Sequence, residues 1–239
     1  MKVRLDRLLS NTGYGTRKEV KQMIRKGHVK VNKTVIKKDD LKIDPKVEKV
    51  YVDDVEVVHE PFVYFMLNKP AGYISATVDQ VHKTVIDLIE GYDNYELFPV
   101  GRLDKDTEGL LLITNDGGFA HLLMAPRRKH AKIYYAKVKG EITDEHIGLF
   151  KEGITIDTGY KCKSSRLKIL EANEDYSIVE VEITEGKFHQ VKKMFLAIGS
   201  EVLYLKRIQI RDLKLDENLQ LGEFRKLTEQ ELIDLKENL

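Results

Sequence analysis

"GRLDKDTEGLLLITNDGG", residues 101–118, sets a charged loop against a wholly apolar run that ends in a turn. Three acids, Asp104, Asp106 and Glu108, crowd against two bases, Arg102 and Lys105. The run GLLLITN (109–115) is too continuously apolar for a strand with one face in water, so it predicts a strand in a covered sheet. Asn115-Asp116-Gly117-Gly118 then reads as a turn. ELFPV (96–100) predicts another strand, which places Asp104 in a partly buried loop between two strand ends. A carboxylate there needs a cation or a donor to stay ionised. On residue type alone, the commoner reading of Asp104 is a loop acid in an Asx-turn or a surface ion pair.

The flanking sequence settles the fold class. FVYFMLNKPAGYISA predicts a strand over 62–67, ended by Asn68-Lys69-Pro70. TVIDLI (84–89) reads as a short helix and GFAHLLM as another. AKIYYAKVKG and YSIVEVEITEG (176–186) alternate apolar and polar residues as strands do. FHQVKKMFLAIG (188–199) is an amphipathic helix with Val191, Met194, Phe195 and Ile198 on one face. EVLYLKRIQI reads as a strand and EQELIDLKENL as a last helix. Antiparallel-type strands with interspersed helices make an α+β protein.

The N-terminal part reads as a separate module. RLDRLLSN places Leu5, Leu8 and Leu9 at helical spacing. TRKE, from Thr16, is a capping box, and the helix over 17–26 stops at Gly27. Val20 and Ile24 face inward and leave Arg17, Lys18, Lys21 and Arg25 on the other faces. HVKVNKTVIK is a hairpin turning at Asn32-Lys33. Val50–Val58 is a strand candidate and 59–61 a linker, which divides the chain into 1–58 and 59–239. Residues 1–44 hold thirteen Lys/Arg against five Asp/Glu, a net of +8, while the remainder is −7. A basic module on an acidic body points to a phosphate-rich partner.

The totals exclude other classes. The longest apolar run is about six residues, too short to span a bilayer. The first twenty residues lack an apolar signal core. A single cysteine, Cys162, and scattered histidines offer neither a disulfide nor metal-ligand spacing. The expectation is a reduced, cytoplasmic protein with no metal and no cofactor.

Two resemblances add a function. RLDRLL, TRKEVKQMI and the Gly27, Val29, Val31, Asn32 pattern resemble the S4 RNA-binding domain over about the first sixty residues. GRLDKDTEGLLLITNDG, TEGKFHQVKKMF (184–195), FMLNKPAGY (65–73) and AKIYYAKV (131–138) resemble, in order and spacing, signatures of bacterial pseudouridine synthases of the RsuA type. The set covers almost the whole chain and is most similar to the small-subunit (16S) type. It implies a mixed, mainly antiparallel sheet with flanking helices. It also implies an isomerase that detaches uracil from ribose and rejoins it through carbon 5, without cofactor.

By that resemblance Asp104 is the nucleophile, Tyr134 stacks on the uracil, and Lys192 pairs with the catalytic carboxylate. Arg102 fills the gap left by the flipped base. Arg4, Arg17, Lys18, Lys21, Arg25 and Lys193 are candidate RNA contacts. Asn68-Lys69 either braces the active-site loop or touches RNA. Asp106 and Thr107 shape the loop, and Asp116 belongs to a turn. The implied partner is ribosomal RNA, 16S rRNA or a small-subunit assembly intermediate, bound by a monomer. Two departures stand out: relatives often carry H-E-K-x-Y where this chain has His130-Ala131-Lys132-Ile133-Tyr134, and LKRIQIRDL (205–213) replaces a segment that often contains glycine. The competing readings are a 23S rRNA synthase of the same family and an S4-type RNA-binding protein without catalysis.

Overall fold

A computed structural model of the chain describes residues 2–57, 60–93, 95–125 and 130–237. The last residue of the strand expected over 50–58 and the first of the linker expected over 59–61 lie outside them. The chain divides into two compact units, Met1–Phe62 with Gly91–Glu96, and Val63–Glu90 with Leu97–Leu239.

In the first unit, β1 (Val3–Arg4) leads into α1 (Leu5–Asn11), followed by α2 (Arg17–Lys26). The capping box forms as the sequence predicts: the Thr16 side chain accepts from Glu19 N, and the Glu19 carboxylate accepts from Thr16 N. Gly27 closes the helix in the left-handed conformation, at φ 87°. β2 (Val29–Val31) and β3 (Thr34–Val35) form the expected hairpin, with Asn32 at φ 54°. β4 (Lys42–Ile43) pairs with β1. The single strand expected from Val50 is instead a second hairpin, β5 (Val50–Val52) and β6 (Val55–Glu56). Asp53 and Asp54 both take positive φ, 45° and 66°, and turn the chain back. Two adjacent left-handed residues suit the twist of a tight hairpin. Leu5, Leu8, Leu9, Val20, Ile24 and Val29 are among the side chains of this unit's core.

The second unit is built on one nine-stranded sheet. Its early strands are β7 (Tyr64–Lys69), β8 (Phe98–Val100) and β9 (Glu108–Thr114), with a 3-10 turn at Val85–Leu88. α3 (Gly117–Met124) is capped by Asp116, whose carboxylate accepts from Phe119 N. Next come β10 (Lys132–Lys139), α4 (Asp144–Glu152), β11 (Arg166–Ala172) and β12 (Tyr176–Ile183). α5 (Gln190–Ala197), β13 (Val202–Ile210), β14 (Leu213–Lys214), β15 (Phe224–Lys226) and α6 (Glu229–Lys236) complete it. The strands run β11-β12-β10-β13-β9-β7-β15, with β8 on β9 and β14 on β13. Each of these pairings is antiparallel except β13 with β9. This is the α+β fold with a mixed, mainly antiparallel sheet that the sequence predicts.

Residues Gly109–Thr114 are all buried, which explains why GLLLIT lacks polar alternation. Leu110 and Leu112 pack with Phe119, Leu123 and Leu235 from α3 and α6. β12 does alternate, burying Ser177, Val179, Val181 and Ile183. At the other end of the sheet, Phe150 of α4 meets Phe195 of α5 at 5.1 Å. No helix among the described residues is long and apolar enough to cross a membrane.

Candidate active site

The loop over 101–107 joins β8 to β9 and is held by its main chain. Ser75 Oγ donates to the Leu103 carbonyl and accepts from Leu103 N, both at 2.9 Å. Gly72 N donates to Lys105 O at 2.7 Å, and Thr107 N to Asp104 O at 3.1 Å. The fully buried Lys69 reaches underneath the loop. Its Nζ lies 3.0 Å from Asp104 O, 2.8 Å from Thr107 O, 3.3 Å from Lys105 O and 3.1 Å from Pro70 O. Of the two readings left open for Lys69, this geometry is that of a brace. Its neighbour Asn68 donates from Nδ2 to Leu219 O at 2.7 Å. Burial pushes the Lys69 ammonium down to about 8.

With its backbone fixed, Asp104 presents a side chain that is 27% exposed. α5 meets it from a segment some eighty residues away in sequence. Lys192 Nζ stands 3.7 Å from Asp104 Oδ2, and His189 Nε2 stands 3.7 Å from Oδ1. The same ammonium lies closer still to Asp106, at 2.5 Å from Oδ1. That hydrogen bond holds the Asp106 carboxyl below the usual range, although the side chain is 72% exposed. Sequence reading missed the Lys192–Asp106 pair and His189, which sits between two residues of a quoted motif.

α5 is aimed by the turn that precedes it. His189 is in the left-handed region at φ 53°. Gln190, buried, accepts from Lys187 N at 2.8 Å and donates to Glu185 Oε1 at 2.9 Å. Val191, Met194 and Phe195 are buried as predicted, while Ile198 lies just past the helix and is half-buried. Lys193 turns away from the loop to Asp157, at 3.0 Å.

Tyr134 is buried on β10. Register partners run from it across the sheet: Tyr134 to Arg207 on β13, Arg207 to Gly109 on β9, and Gly109 to Lys69 on β7. Paired residues of neighbouring strands lie side by side, so Tyr134 is placed in one row with the base of the Asp104 loop. Gly109 has φ 98°, and a Cβ there would collide with the Arg207 carbonyl. Only glycine lets β13 come this close. Arg207 is buried, donates from Nε to Leu110 O at 2.8 Å and leaves Nη2 without a partner. Lys132, on the same strand as Tyr134, is pushed down to about 8 by burial and then by Arg207. Tyr135 points the other way, against Tyr204, whose hydroxyl donates to Glu108.

Arg102 is exposed and makes no ion pair with Asp106 or Glu108 among the described residues. Asp116, besides capping α3, accepts from Tyr64 Oη at 2.6 Å and so is built into the fold. In the first unit, Arg4 pairs with the buried Asp6 at 2.9 Å, Lys21 lies 3.9 Å from the same carboxylate, and Arg25 pairs with Asp39 at 2.8 Å. Arg17 and Lys18 are exposed, with no ion pair among the described residues.

A clamped loop offering a carboxylate to a half-open site, with an ammonium on one side and an imidazole on the other, suits covalent or general-base work. Among the described residues no group of His, Cys, Asp and Glu has the arrangement of a metal site. Residues 63–197 match the RNA pseudouridylate synthase family, and residues 3–48 match the S4 domain. The chain belongs to the RNA pseudouridine synthases. It is an isomerase of RNA by that membership. It is 44% identical to "Uncharacterized RNA pseudouridine synthase YtzG" of Bacillus subtilis over 98% of this chain and 99% of that one. It is 37% identical to that organism's "Ribosomal large subunit pseudouridine synthase B", over 98% and 95% of the two chains. It is 34% identical to "Ribosomal small subunit pseudouridine synthase A" of Yersinia pestis, over 96% and 97%. A solved pseudouridylate synthase, 33% identical, superimposes with a TM-score of 0.69 over 98% of this chain and 99% of that one.

Proposed function

We propose that this pseudouridine synthase converts a specific uridine of ribosomal RNA to pseudouridine, with Asp104 as the nucleophile. The observation that carries the reading is the Asp104 carboxylate, which reaches a partly open site between Lys192 and His189 while the main chain of its loop is clamped by Ser75 at Leu103 and by Lys69 at Asp104 itself. The bond between ribose carbon 1′ and uracil N1 breaks, and carbon 1′ rejoins at carbon 5. Carbon 5 loses a proton and N1 ends with one, so the products balance without an oxidant or a second substrate.

The target base leaves its stack to reach the loop. Arg102, exposed and making no ion pair among the described residues, fills the gap with its planar guanidinium. Tyr134 stacks on the uracil, and its hydroxyl assists removal of the carbon 5 proton. Lys192 pairs with the Asp104 carboxylate through its ammonium, and Lys69 holds the loop from beneath. The module over residues 1–58 supplies affinity and placement through Arg17 and Lys18, and through Arg4, Lys21 and Arg25 once their internal pairs exchange for phosphate. Lys193 does the same beside the site. Residues 59–239 carry the chemistry. The enzyme works as a monomer in the cytoplasm.

The substrate proposed is 16S rRNA or a small-subunit assembly intermediate, on the form of TEGKFHQVKKMF and FMLNKPAGY. The 37% identity to a large-subunit synthase keeps 23S rRNA as a second reading. Mapping pseudouridine in both rRNAs from a strain lacking the gene decides between them. One missing 16S site supports the first, one missing 23S site replaces it with the second, and unchanged maps overturn the ribosomal assignment.

A further inference from the structure

Phe188 is 72% exposed, at the rim of the Asp104 site. Scattered surface apolar side chains need no explanation, but this ring is arranged. It lies parallel to the His189 imidazole, with centroids 3.8 Å apart and planes inclined by 19°. The Tyr64–Phe119 and Phe65–Phe224 pairs in the core are instead edge-on, the arrangement that the ring quadrupole favours for buried aromatics. Consecutive side chains diverge in a strand or a helix. The left-handed backbone at His189, fixed on its helical side by buried Gln190, is what lets 188 and 189 stack. A non-glycine residue held there stores strain, and such strain gathers at working sites.

The His189 ring of this stack borders the Asp104 carboxylate, which lies 3.7 Å from its Nε2. Two ammonium groups border the exposed ring: Lys187 is exposed one residue before, and Lys193 Nζ, which pairs with Asp157, lies 5.7 Å from the Phe188 centroid. An open aromatic face, extended by a second ring and bordered by ammonium groups, is complementary to a nucleobase with its phosphate. A stacking platform for apolar protein would not place lysines there.

We propose that Phe188 stacks a base next to the target uridine in the RNA and so sets where the strand lies over Asp104. The proposal rests on the reading of this site as an RNA pseudouridine synthase centre. It makes Phe188 a positioning residue, which acts on how RNA binds and not on the reacting atoms. Because every base has a π-face, the platform holds its base without reading which base it is.

The test uses the full chain and protein-free rRNA from a strain lacking the enzyme. Phe188→Leu keeps an apolar side chain and removes the ring, while Phe188→Tyr restores it. Base–aromatic stacking predicts that kcat/KM of Phe188→Leu falls roughly 5- to 100-fold. The loss appears in KM, with kcat and the thermal midpoint near wild type, and Phe188→Tyr recovers it. An unchanged KM in Phe188→Leu overturns the proposal. The chain has no tryptophan, so Phe188→Trp reports on the site alone. Its fluorescence should be quenched on titration with the same rRNA, and emission that does not respond overturns the proposal even if the leucine variant fails to fold. A wild-type enzyme inert both on that rRNA and on small-subunit assembly intermediates from the same strain would instead refute the underlying reading of the site.

Discussion

The ammonium of Lys192 stands 2.5 Å from Asp106 and 3.7 Å from Asp104. One cation therefore serves two carboxylates, and the more exposed of the two holds it more tightly. In the free protein Lys192 is parked beside Asp106, within about an ångström of a full contact with Asp104.

Asp104→Asn and Asp106→Asn test this division. Asp104→Asn keeps the size of the side chain and removes its charge, so tritium release from carbon 5 of labelled uridine should fall by more than about 1000-fold. Asp106→Asn frees Lys192 for Asp104 and should stay active. Thermal unfolding of both should remain close to wild type, because neither side chain is buried. An active Asp104→Asn would sink the assignment of the nucleophile.

Lys69→Met should damage the fold as well as the rate. Four carbonyl oxygens lose the ammonium; Asp104 O and Lys105 O keep the amides of Thr107 and Gly72, whereas the buried contact to Thr107 O and the part-buried one to Pro70 O are lost. Leaving buried acceptors unpaired costs about 1–3 kcal/mol for each group, so a loss above about 2 kcal/mol is expected in urea unfolding. Retention of wild-type stability would show that Lys69 does not brace the loop.

Two lysines also make stability depend on pH. Lys69 and Lys132 release their protons near 8 in the folded chain, against 10.5 ordinarily. Above pH 8 the unfolded chain thus holds protons that the folded chain has shed, and folding stability rises with pH toward 10.5. Tyr64 and Tyr204 shift upward through burial and their hydrogen bonds to Asp116 and Glu108, and they oppose the trend only above pH 10. Between pH 8 and about 9.5 the wild type should gain on Lys132→Met by something of order 1 kcal/mol. Parallel curves for the two proteins would contradict the shift.

Within the basic module, residues that look alike in sequence should behave differently. Arg17 and Lys18 make no ion pair among the described residues, whereas Arg25 is paired with Asp39. The double change Arg17→Ala, Lys18→Ala should weaken RNA binding and reduce the slope of log affinity against log salt by about 1–2. Arg25→Ala should alter that slope less. Equal effects would mean that the pair with Asp39 opens freely on RNA.

Much of this was legible locally. Thr16 and Glu19 announce their helix because both ends of a capping box lie within four residues. Gly109–Thr114 announce a covered strand because both faces are apolar. The α4 helix and β11 were missed, since Arg166–Ala172 is mostly exposed and carries little apolar pattern. Asp53-Asp54 hid a hairpin because two acids stand where asparagine and glycine usually do. At the site, Asp104, Tyr134 and Lys192 were named through the resemblance and not through their chemistry. Lys69 as a brace, and Asp106 as the nearer partner of Lys192, depend on contacts across 36 and 86 residues of sequence. No spacing rule reaches that far.

The clamps on the 101–107 loop grip only peptide groups. Ser75, Gly72 and Lys69 bind carbonyls and one amide, and none of them touches a side chain of the loop. Arg102 and Lys105 are thereby left as interchangeable fittings on a fixed mount. Exchanging them can alter which stretch of RNA is accepted without disturbing the carboxylate. A catalyst anchored in this way can be redirected to a new address by point substitutions, in the laboratory as in divergence.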